Sequence, residues 1–277
     1  MFADDAAFVV VSSDLTDLFF RIEKLLADIT LYLKYNCLVP NATKSKLMMF
    51  SSRTIAELPE LIFSGDPIEW VSEFKYLGLI LTNKLSFGKH INKVMLNVSR
   101  TTGMIMSVRD FLPQSVLLKL FQALALPHVN LHLEIWGSAP AYLMNMLEVK
   151  INNLLRVVFG IYRDGGIPVM RAHDMYRTYD ILRLKCIYKL KLFKLLRSLM
   201  DGRHPELYNI LLRPYINPHD YATRSNTFRH PNLTCEIERR FLSHQLIILH
   251  ELLPQHLFEN SFSSSVRHLR RHLLATQ

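Results

Sequence analysis

The sequence is short of cysteine, glycine and proline, and these shortages exclude several classes of protein. Among 277 residues there are 3 cysteines, 9 glycines and 12 prolines. Cys37, Cys186 and Cys235 lie far apart and form no CxxC pair, which argues against a disulfide framework and against a zinc site. A reducing compartment is the simpler interpretation. So few glycines and prolines leave little room for low-complexity linkers, and no internal repeat is visible.

A targeting segment and a membrane-spanning segment are also lacking. The sequence carries Asp4 and Asp5 where a signal peptide would have basic residues. No apolar run approaches the roughly 20 residues that span a bilayer, since Lys119 interrupts the longest candidate, VLLKLFQALAL. We therefore expect an intracellular protein, cytoplasmic or nuclear, that has no membrane partner.

Several motifs of enzymes and nucleotide-binding proteins are absent as well. The sequence contains no GxGxxG pattern, no P-loop and no GxSxG elbow. His128 and His132 are four residues apart, but the glutamate of an HExxH motif is missing, which favours ordinary core or surface histidines. These absences argue against a dinucleotide-binding protein, a P-loop nucleotide hydrolase, a serine hydrolase and a zinc protease.

What the sequence has in excess is basic charge. It carries 33 Lys and Arg against 24 Asp and Glu, which gives a formal net charge of +9. Hydrophobic residues make up 49% and charged residues 21%, as is typical of a globular protein with a sizeable core. The charge favours an anionic partner, most commonly nucleic acid. A merely soluble basic protein is the alternative.

Hydrophobic periodicity predicts a small sheet and one helix in the N-terminal part of the chain. Residues 6–11, AAFVVV, have the composition of a buried strand. Asp14 is a suitable N-cap, and the apolar residues after it follow helical spacing until Asn36 and Pro40 break the pattern. Short apolar stretches then predict strands at 46–50, 61–63, 68–71 and 76–82, with a turn signal at 64–67.

From about residue 88 the apolar spacing is that of helices. One stripe runs from Ile91 to Val108, and Pro113 stands where a second helix would begin. A third helix carries apolar residues from Leu143 to Val158. Further helices are predicted over about 178–200, 237–253 and 265–274. A sheet that is segregated from a larger helical region predicts the α+β class.

Asp4 and Asp5 are the first candidates for a chemical site. Two adjacent carboxylates repel each other unless a cation lies between them, and hard oxygen ligands suit Mg²⁺. At the tip of a hairpin both side chains can project from one end, which would make a divalent-metal site. An exposed acidic turn is the alternative, and the dipeptide alone favours that alternative.

Four sequence elements occur in an order that is specific as a set. They are FADD at 2–5, NATKSK at 41–46, FKYLG at 74–78 and LSFGKHI at 85–91. In this order they resemble the C-terminal half of the reverse transcriptases of non-LTR retrotransposons, of the jockey-like LINE type. Ser45 stands where threonine is usual in that family. The later segments LPHVNLHLEIWGSAP and INNLLRVVFG extend the resemblance over nearly the whole chain.

This resemblance implies an RNA-directed DNA polymerase, in which a primer hydroxyl attacks the α-phosphate of a deoxynucleotide with the help of two metal ions. It identifies Asp4 and Asp5 as catalytic ligands for Mg²⁺ or Mn²⁺, and Lys44 as a cation near the leaving pyrophosphate, with Lys46 as its rival. The implied primer grip consists of Lys75, Tyr76, Leu77 and Gly78. For Tyr76 the alternative is simple packing, and for Lys44 it is a solvated side chain. The implied partners are an RNA template, a DNA primer and deoxynucleotide triphosphates.

The resemblance also implies three regions along the chain. They are a palm part at 1–82, with a small antiparallel sheet and a covering helix, a thumb-like helical region at 83–163, and a basic helical region at 164–277. The family uses one more aspartate, on an earlier strand, and no later stretch of this sequence offers a substitute. We therefore expect the product of a truncated reading frame, which does not catalyse by itself. The alternatives are a non-catalytic nucleic-acid-binding remnant of a transposable element and a decayed product without function.

The helix predicted near 178–200 provides the last candidate, a basic stripe. At about 100° per residue, one side of this helix carries the cations and the other side carries leucines and Tyr188. The cations are Arg183, Lys191, Lys194 and Arg197. Such a stripe would follow a phosphate backbone and would give binding a steep salt dependence. A solvated face on an ordinary amphipathic helix is the alternative.

Overall fold

The chain folds as two compact units, Met1–Ser86 and Phe87–Gln277. The computed structural model describes residues 5–51, 58–161, 170–216, 228–229 and 238–276. Within these residues the first unit combines one helix with short strands, and the second is built of helices with one isolated bridge between Ile216 and Phe228. The α+β class is therefore confirmed, while the division into palm, thumb and C-terminal regions stays a prediction.

Helix α1, Leu15–Tyr35, forms as the sequence predicts. The Asp14 carboxylate accepts a hydrogen bond from the backbone N–H of Asp17 at 2.9 Å, which satisfies one of the N–H groups left open at the start of a helix. At the other end the Asn36 side chain donates to the Tyr32 carbonyl at 2.8 Å. The inner stripe of the helix is buried and consists of Leu18, Ile22 and Leu26.

A three-stranded sheet packs against α1. Its strands β1 (Lys46–Leu47), β2 (Leu61–Phe63) and β3 (Asp66–Trp70) lie in the order β1-β3-β2. Strands β2 and β3 are antiparallel, whereas β1 and β3 are parallel. The prediction of an antiparallel sheet is therefore wrong for β1 and β3. The long connection that leads from β1 to β2 allows β3 to run parallel to β1, and the spacing of apolar residues does not encode such a pairing.

Strands β4 (Glu73–Tyr76) and β5 (Leu79–Thr82) form a separate antiparallel hairpin. Leu77 and Gly78 make the turn, with φ angles of 45° and 88°. Two central residues with positive φ are the mark of a type I′ turn, whose twist suits a two-residue hairpin. The prediction of one strand over 76–82 is therefore wrong, because the chain reverses at Gly78.

Residues 6–11 do not form the buried strand that their composition predicts. None of the described strands pairs with them, and the side chains of Phe8, Val9 and Val11 are 58%, 87% and 76% exposed. β-Branched and aromatic residues favour a strand only where a neighbouring strand supplies hydrogen bonds and packing. The described sheet of the first unit is thus smaller than predicted.

The second unit is an assembly of helices among which α2 and α6 pack against each other. Ile91 and Val98 on α2, and Leu147 and Leu154 on α6, are fully buried. None of the described helices is long and apolar enough to cross a bilayer. The described α-helices of this unit are α2 (Gly88–Val108), α3 (Gln114–Leu120), α4 (Leu126–Asn130), α5 (Leu133–Trp136), α6 (Ala141–Phe159), α7 (Ala172–Thr178), α8 (Leu184–Met200), α9 (Pro205–Leu211), α10 (Leu242–Leu252), α11 (His256–Glu259) and α12 (Phe262–Thr276), and a π-helical segment, Phe121–Ala125, joins α3 to α4.

Helix α8 lies at the centre of a hydrophobic core of the second unit. The sequence predicts a helix over about 178–200, but α8 begins at Leu184 because Asp180 has a φ of 53° and Arg183 is extended. Helices α5, α9, α10 and α12 all contact α8. Its buried apolar residues include Leu192, Phe193, Leu196 and Leu199.

The Trp136-Gly137 pair, part of one of the segments that carry the resemblance, has a structural role. Trp136 is fully buried, and its indole N–H donates to the Leu131 carbonyl at 2.7 Å. A Cβ on Gly137 would lie 2.4 Å from Cδ2 of Tyr188 and 2.5 Å from the carbonyl oxygen of Leu133. Glycine is therefore needed here because α5 and α8 approach each other so closely.

Candidate functional site

The predicted metal-binding pair lies at the limit of the described structure. Asp4 lies outside the described residues, and Asp5 is exposed. Among the residues that the structure describes, no three His, Cys, Asp or Glu side chains come together in a way that could hold a metal ion. The roles of Asp4 and Asp5 as metal ligands stay predictions.

Lys44 and Lys46, the two rivals for the pyrophosphate, differ in what surrounds them. The side-chain carbonyl of Asn41 organises the turn before them, because it accepts a hydrogen bond from the Lys44 N–H at 3.1 Å. Lys46 forms an ion pair with Glu69, Nζ to Oε2 at 2.7 Å, which joins β1 to β3. The Lys44 side chain is exposed. A phosphate could therefore reach Lys44 without breaking the ion pair that holds Lys46.

The four predicted primer-grip residues gather at one hairpin tip. Lys75 and Tyr76 end β4, and Leu77 and Gly78 form the turn to β5. Lys75 is exposed, whereas the other three residues are half-buried. A tight turn with a cation at its base is an arrangement that can contact a sugar–phosphate backbone. The structure thus brings these four residues together, and their function stays a prediction.

Arg183, predicted to belong to the basic stripe, forms an ion pair within the protein. Its Nε donates to Oε1 of Glu148 at 2.7 Å, and Glu148 is buried on α6. Burial lowers the pKa of Arg183, but the Glu148 carboxylate outweighs burial and holds this pKa above its usual value. Nearby, the Tyr176 hydroxyl donates to Oδ1 of Asn152 at 2.6 Å, and burial raises the pKa of Tyr176. The Tyr176 hydrogen bond thus links α7 to α6, and the Arg183 ion pair links the start of α8 to α6.

Lys191 links the middle of α8 to the end of α4 and to α5. Its ammonium donates to the Asn130 carbonyl and, at 3.2 Å, to Oε2 of Glu134 on α5. Both Lys191 and Glu134 are partly buried, with side chains 29% and 30% exposed. Lys194, almost one turn later, is exposed.

Arg197 is the most deeply buried cation of the predicted stripe, at 7% exposure. Its guanidinium donates to the carbonyl of Phe258 and, at 3.1 Å, to the carbonyl of Asn260. It also lies 3.1 Å from Oδ1 of Asp201. The two carbonyls belong to the end of α11, where helix carbonyls lack partners within the helix, so Arg197 caps α11 from α8.

These contacts correct the prediction of a common exposed stripe. Arg183, Lys191 and Arg197 bind protein groups, and Arg197 is buried, so the four do not form a common exposed stripe. Angular spacing gives the direction of each side chain around α8 but not which sides of the helix other elements cover. Whether any of the four contacts nucleic acid stays a prediction.

Another set of cations lies on α12 and is not among the predicted site residues. Arg267, Arg270 and Arg271 are exposed, while Leu269 and Leu273 are buried. A basic C-terminal region by itself predicts only solvated side chains. The sequence pattern that separates these arginines from the buried leucines is the helical spacing in VRHLRRHLL, in which arginines and leucines fall on different sides of the helix.

Two curated proteins are similar in sequence to this chain, and both are described as RNA-directed DNA polymerase from mobile element jockey. The protein from Drosophila melanogaster is 26% identical over 149 residues, which cover 52% of this chain and 15% of the relative. The protein from Drosophila funebris is 26% identical over 123 residues, which cover 43% of this chain and 13% of the relative. No family model and no solved structure matches the chain.

Proposed function

We propose that this chain, which is related to the RNA-directed DNA polymerases of jockey mobile elements, is part of a non-LTR reverse transcriptase and binds a primer–template duplex. The observation that carries the proposal is the sequence similarity over 52% of the chain. The net charge of +9 agrees with a polyanionic partner. An RNA template, a DNA primer and deoxynucleotide triphosphates are the partners that this function requires.

In this proposal the first unit takes the part of a polymerase palm. The hairpin tip at 75–78 holds the primer end, and Lys44 lies near the departing pyrophosphate. The helices that follow LSFGKHI take the part of the thumb. Support for these roles comes from the order of FADD, NATKSK, FKYLG and LSFGKHI, and from the collection of 75–78 at a single turn.

Mg²⁺ or Mn²⁺ is the cofactor that this function requires, with Asp4 and Asp5 as the proposed ligands. The resemblance of FADD to the metal-binding turn of the family supports these ligands. The resemblance implies one more catalytic aspartate, for which no later stretch of this sequence offers a substitute, so the activity proposed for the isolated 277-residue polypeptide is nucleic-acid binding.

The purified polypeptide is expected to bind an RNA-template–DNA-primer duplex without extending the primer in Mg²⁺ or Mn²⁺. The physical reason is that two metal ions need more carboxylate ligands than Asp4 and Asp5 supply. The resemblance implies that a further ligand is an aspartate on an earlier strand, and no later stretch of this sequence offers a substitute for it. The measurement is a primer-extension assay beside a binding titration of the same labelled duplex. Template-dependent extension that disappears in Asp4→Ala would contradict the expected lack of catalysis.

A nucleic-acid-binding protein without a polymerase role is the second candidate. It is favoured by the net charge of +9 and by the exposed arginines of α12, neither of which requires a polymerase site. Calorimetric titration with Mn²⁺ separates the two candidates, with the double variant Asp4→Ala/Asp5→Ala as the matched control. Mn²⁺ binding that the double variant loses supports the polymerase-related role. Equal titrations of both proteins favour the second candidate, and failure of the wild-type chain to bind the duplex contradicts both.

A further inference from the structure

The geometry points to the exposed face of α12 as a surface that binds the phosphate backbone of a nucleic-acid duplex. This inference rests on the proposed function and adds to it the residues that make the contact. The face is defined by Arg267, Arg270 and Arg271, all of which are exposed. The sequence of α12, Phe262–Thr276, contains no Asp or Glu. The helix therefore presents positive charge without an acidic side chain of its own.

The three arginines share one side of α12. At about 100° per residue, Arg267, Arg270 and Arg271 fall within about 100° of one another. The opposite side carries Leu269 and Leu273, which are 1% and 6% exposed. Packing of these leucines onto the core that contains α8 fixes the rotation of α12. The basic face is thus set by the fold, so little order has to be gained when a ligand binds.

Two further arginines contact α12 near its ends. Arg203 lies with its guanidinium carbon 4.6 Å from the centre of the Phe262 ring, at the first residue of α12. Arg177 donates to the Ala275 carbonyl at 3.0 Å, near the last residue. From Phe262 to Ala275 the helix rises by about 20 Å, a length that corresponds to about six base pairs along a duplex. The arginines of the basic face itself, from Arg267 to Arg271, rise by about 6 Å, which corresponds to about two base pairs.

Acidic groups near this face are few among the described residues. Asp180 lies 3.7 Å from Arg270 through Oδ2, and its carbonyl accepts from the same guanidinium at 3.4 Å. Glu259 is exposed at the end of α11, which packs against α12. Arg267 donates to the Ser263 carbonyl of its own helix, and no ion pair joins Arg267 or Arg271 to a described carboxylate. These two arginines are therefore the best placed to meet phosphates.

A nucleic acid fits this surface better than a membrane does. A basic amphipathic helix binds a membrane by inserting its apolar face below the headgroups. The apolar face of α12 is already buried in the protein, through Leu269 and Leu273. A duplex requires only the exposed charges, because phosphate contacts provide most of its non-specific affinity. We therefore assign the face to a duplex and not to a lipid surface.

The test uses the full chain and the double variant Arg267→Gln/Arg271→Gln. The probe is a fluorescent RNA–DNA hybrid of about 20 base pairs, titrated at salt concentrations from about 50 to 200 mM. Two lost phosphate contacts are expected to flatten the slope of log K against log salt by about 1.8, and to weaken binding about 10-fold or more near 100 mM salt. The weakening is expected to be equal for two unrelated sequences, since phosphate contacts carry no base information.

Two matched variants make the result specific. Lys24→Gln/Lys34→Gln removes the same amount of charge from exposed positions on α1 and is expected to change the slope by less than half as much. Arg267→Lys/Arg271→Lys keeps the charge and is expected to keep the slope. A slope unchanged in the arginine-to-glutamine variant, or an equal change in the α1 variant, would overturn the inference while leaving the proposed function intact. If the wild-type chain does not bind the duplex at all, the proposed function itself is overturned.

Discussion

Replacing Arg197 with methionine is expected to lower the free energy of unfolding of the second unit by about 3 kcal/mol. Methionine keeps much of the length of the side chain but has no donors. The Phe258 and Asn260 carbonyls would lose the guanidinium that binds them, and Asp201 would lose its partner at 3.1 Å. Because Arg197 is 7% exposed, water cannot easily replace these bonds.

Lys194→Met is the matched control for this substitution. It makes the same kind of change on the same helix, but Lys194 is exposed, so we expect a change within about 0.5 kcal/mol. Denaturant unfolding followed by tryptophan fluorescence is the measurement, in a Trp70→Phe background that leaves Trp136 of the second unit as the reporter. Equal and small effects at the two positions would contradict the assignment of Arg197 to the core.

Acidification from pH 7 to pH 5 is expected to lower the stability of the second unit by about 2 kcal/mol through His90 alone. Burial, the positive charge of Lys93 and the nearby His132 together lower the pKa of His90 to about 4, and burial is the largest of these causes. The folded protein therefore holds His90 neutral, while the unfolded chain takes up a proton near pH 6.5. The stabilisation is complete above that pH and is lost as pH falls towards 4.

The variant His90→Phe tests this expectation. Phenylalanine cannot take up a proton, and it can keep an edge contact like the one that the His90 ring makes with Trp136 at 5.5 Å. Its stability is expected to change between pH 7 and pH 5 by about 2 kcal/mol less than that of the wild type. His128→Phe, at an exposed position, is the control that should retain the wild-type pH dependence. Parallel pH profiles for His90→Phe and the wild type would rule out the buried neutral histidine.

The helices were the most predictable part of the fold, because each carries its own signals. For α1 the N-cap Asp14, the apolar stripe and the stop at Asn36 are all local, and all three are present in the structure. The strands depend on partners distant in sequence. The apolar run at 6–11 has strand composition but no described strand beside it, and the parallel pairing of β1 with β3 has no local signature.

The sequence predicted the position of some candidate site residues but not of others, and the reasons differ between the hairpin tip at 75–78 and the cations of α8. The hairpin tip at 75–78 was located by the FKYLG element, although the turn itself was missed because Gly78 sits inside an apolar run. The cations of α8 were misplaced because a helical wheel cannot show that α11 offers carbonyls to Arg197. On α12 the helical spacing does separate exposed arginines from buried leucines, because one side of the helix packs on the core and the other side is open.

Cross-linking from the primer end tests the proposed polymerase relationship most directly. A DNA primer with a photoreactive nucleotide at its 3′ end is annealed to an RNA template, irradiated with the full chain, and the cross-linked peptides are identified by mass spectrometry. We expect cross-links at the hairpin tip, 75–78, and their loss when the template strand is omitted. Cross-links that spread over basic surface residues with no enrichment at 75–78 would contradict the assignment of the first unit as a polymerase palm.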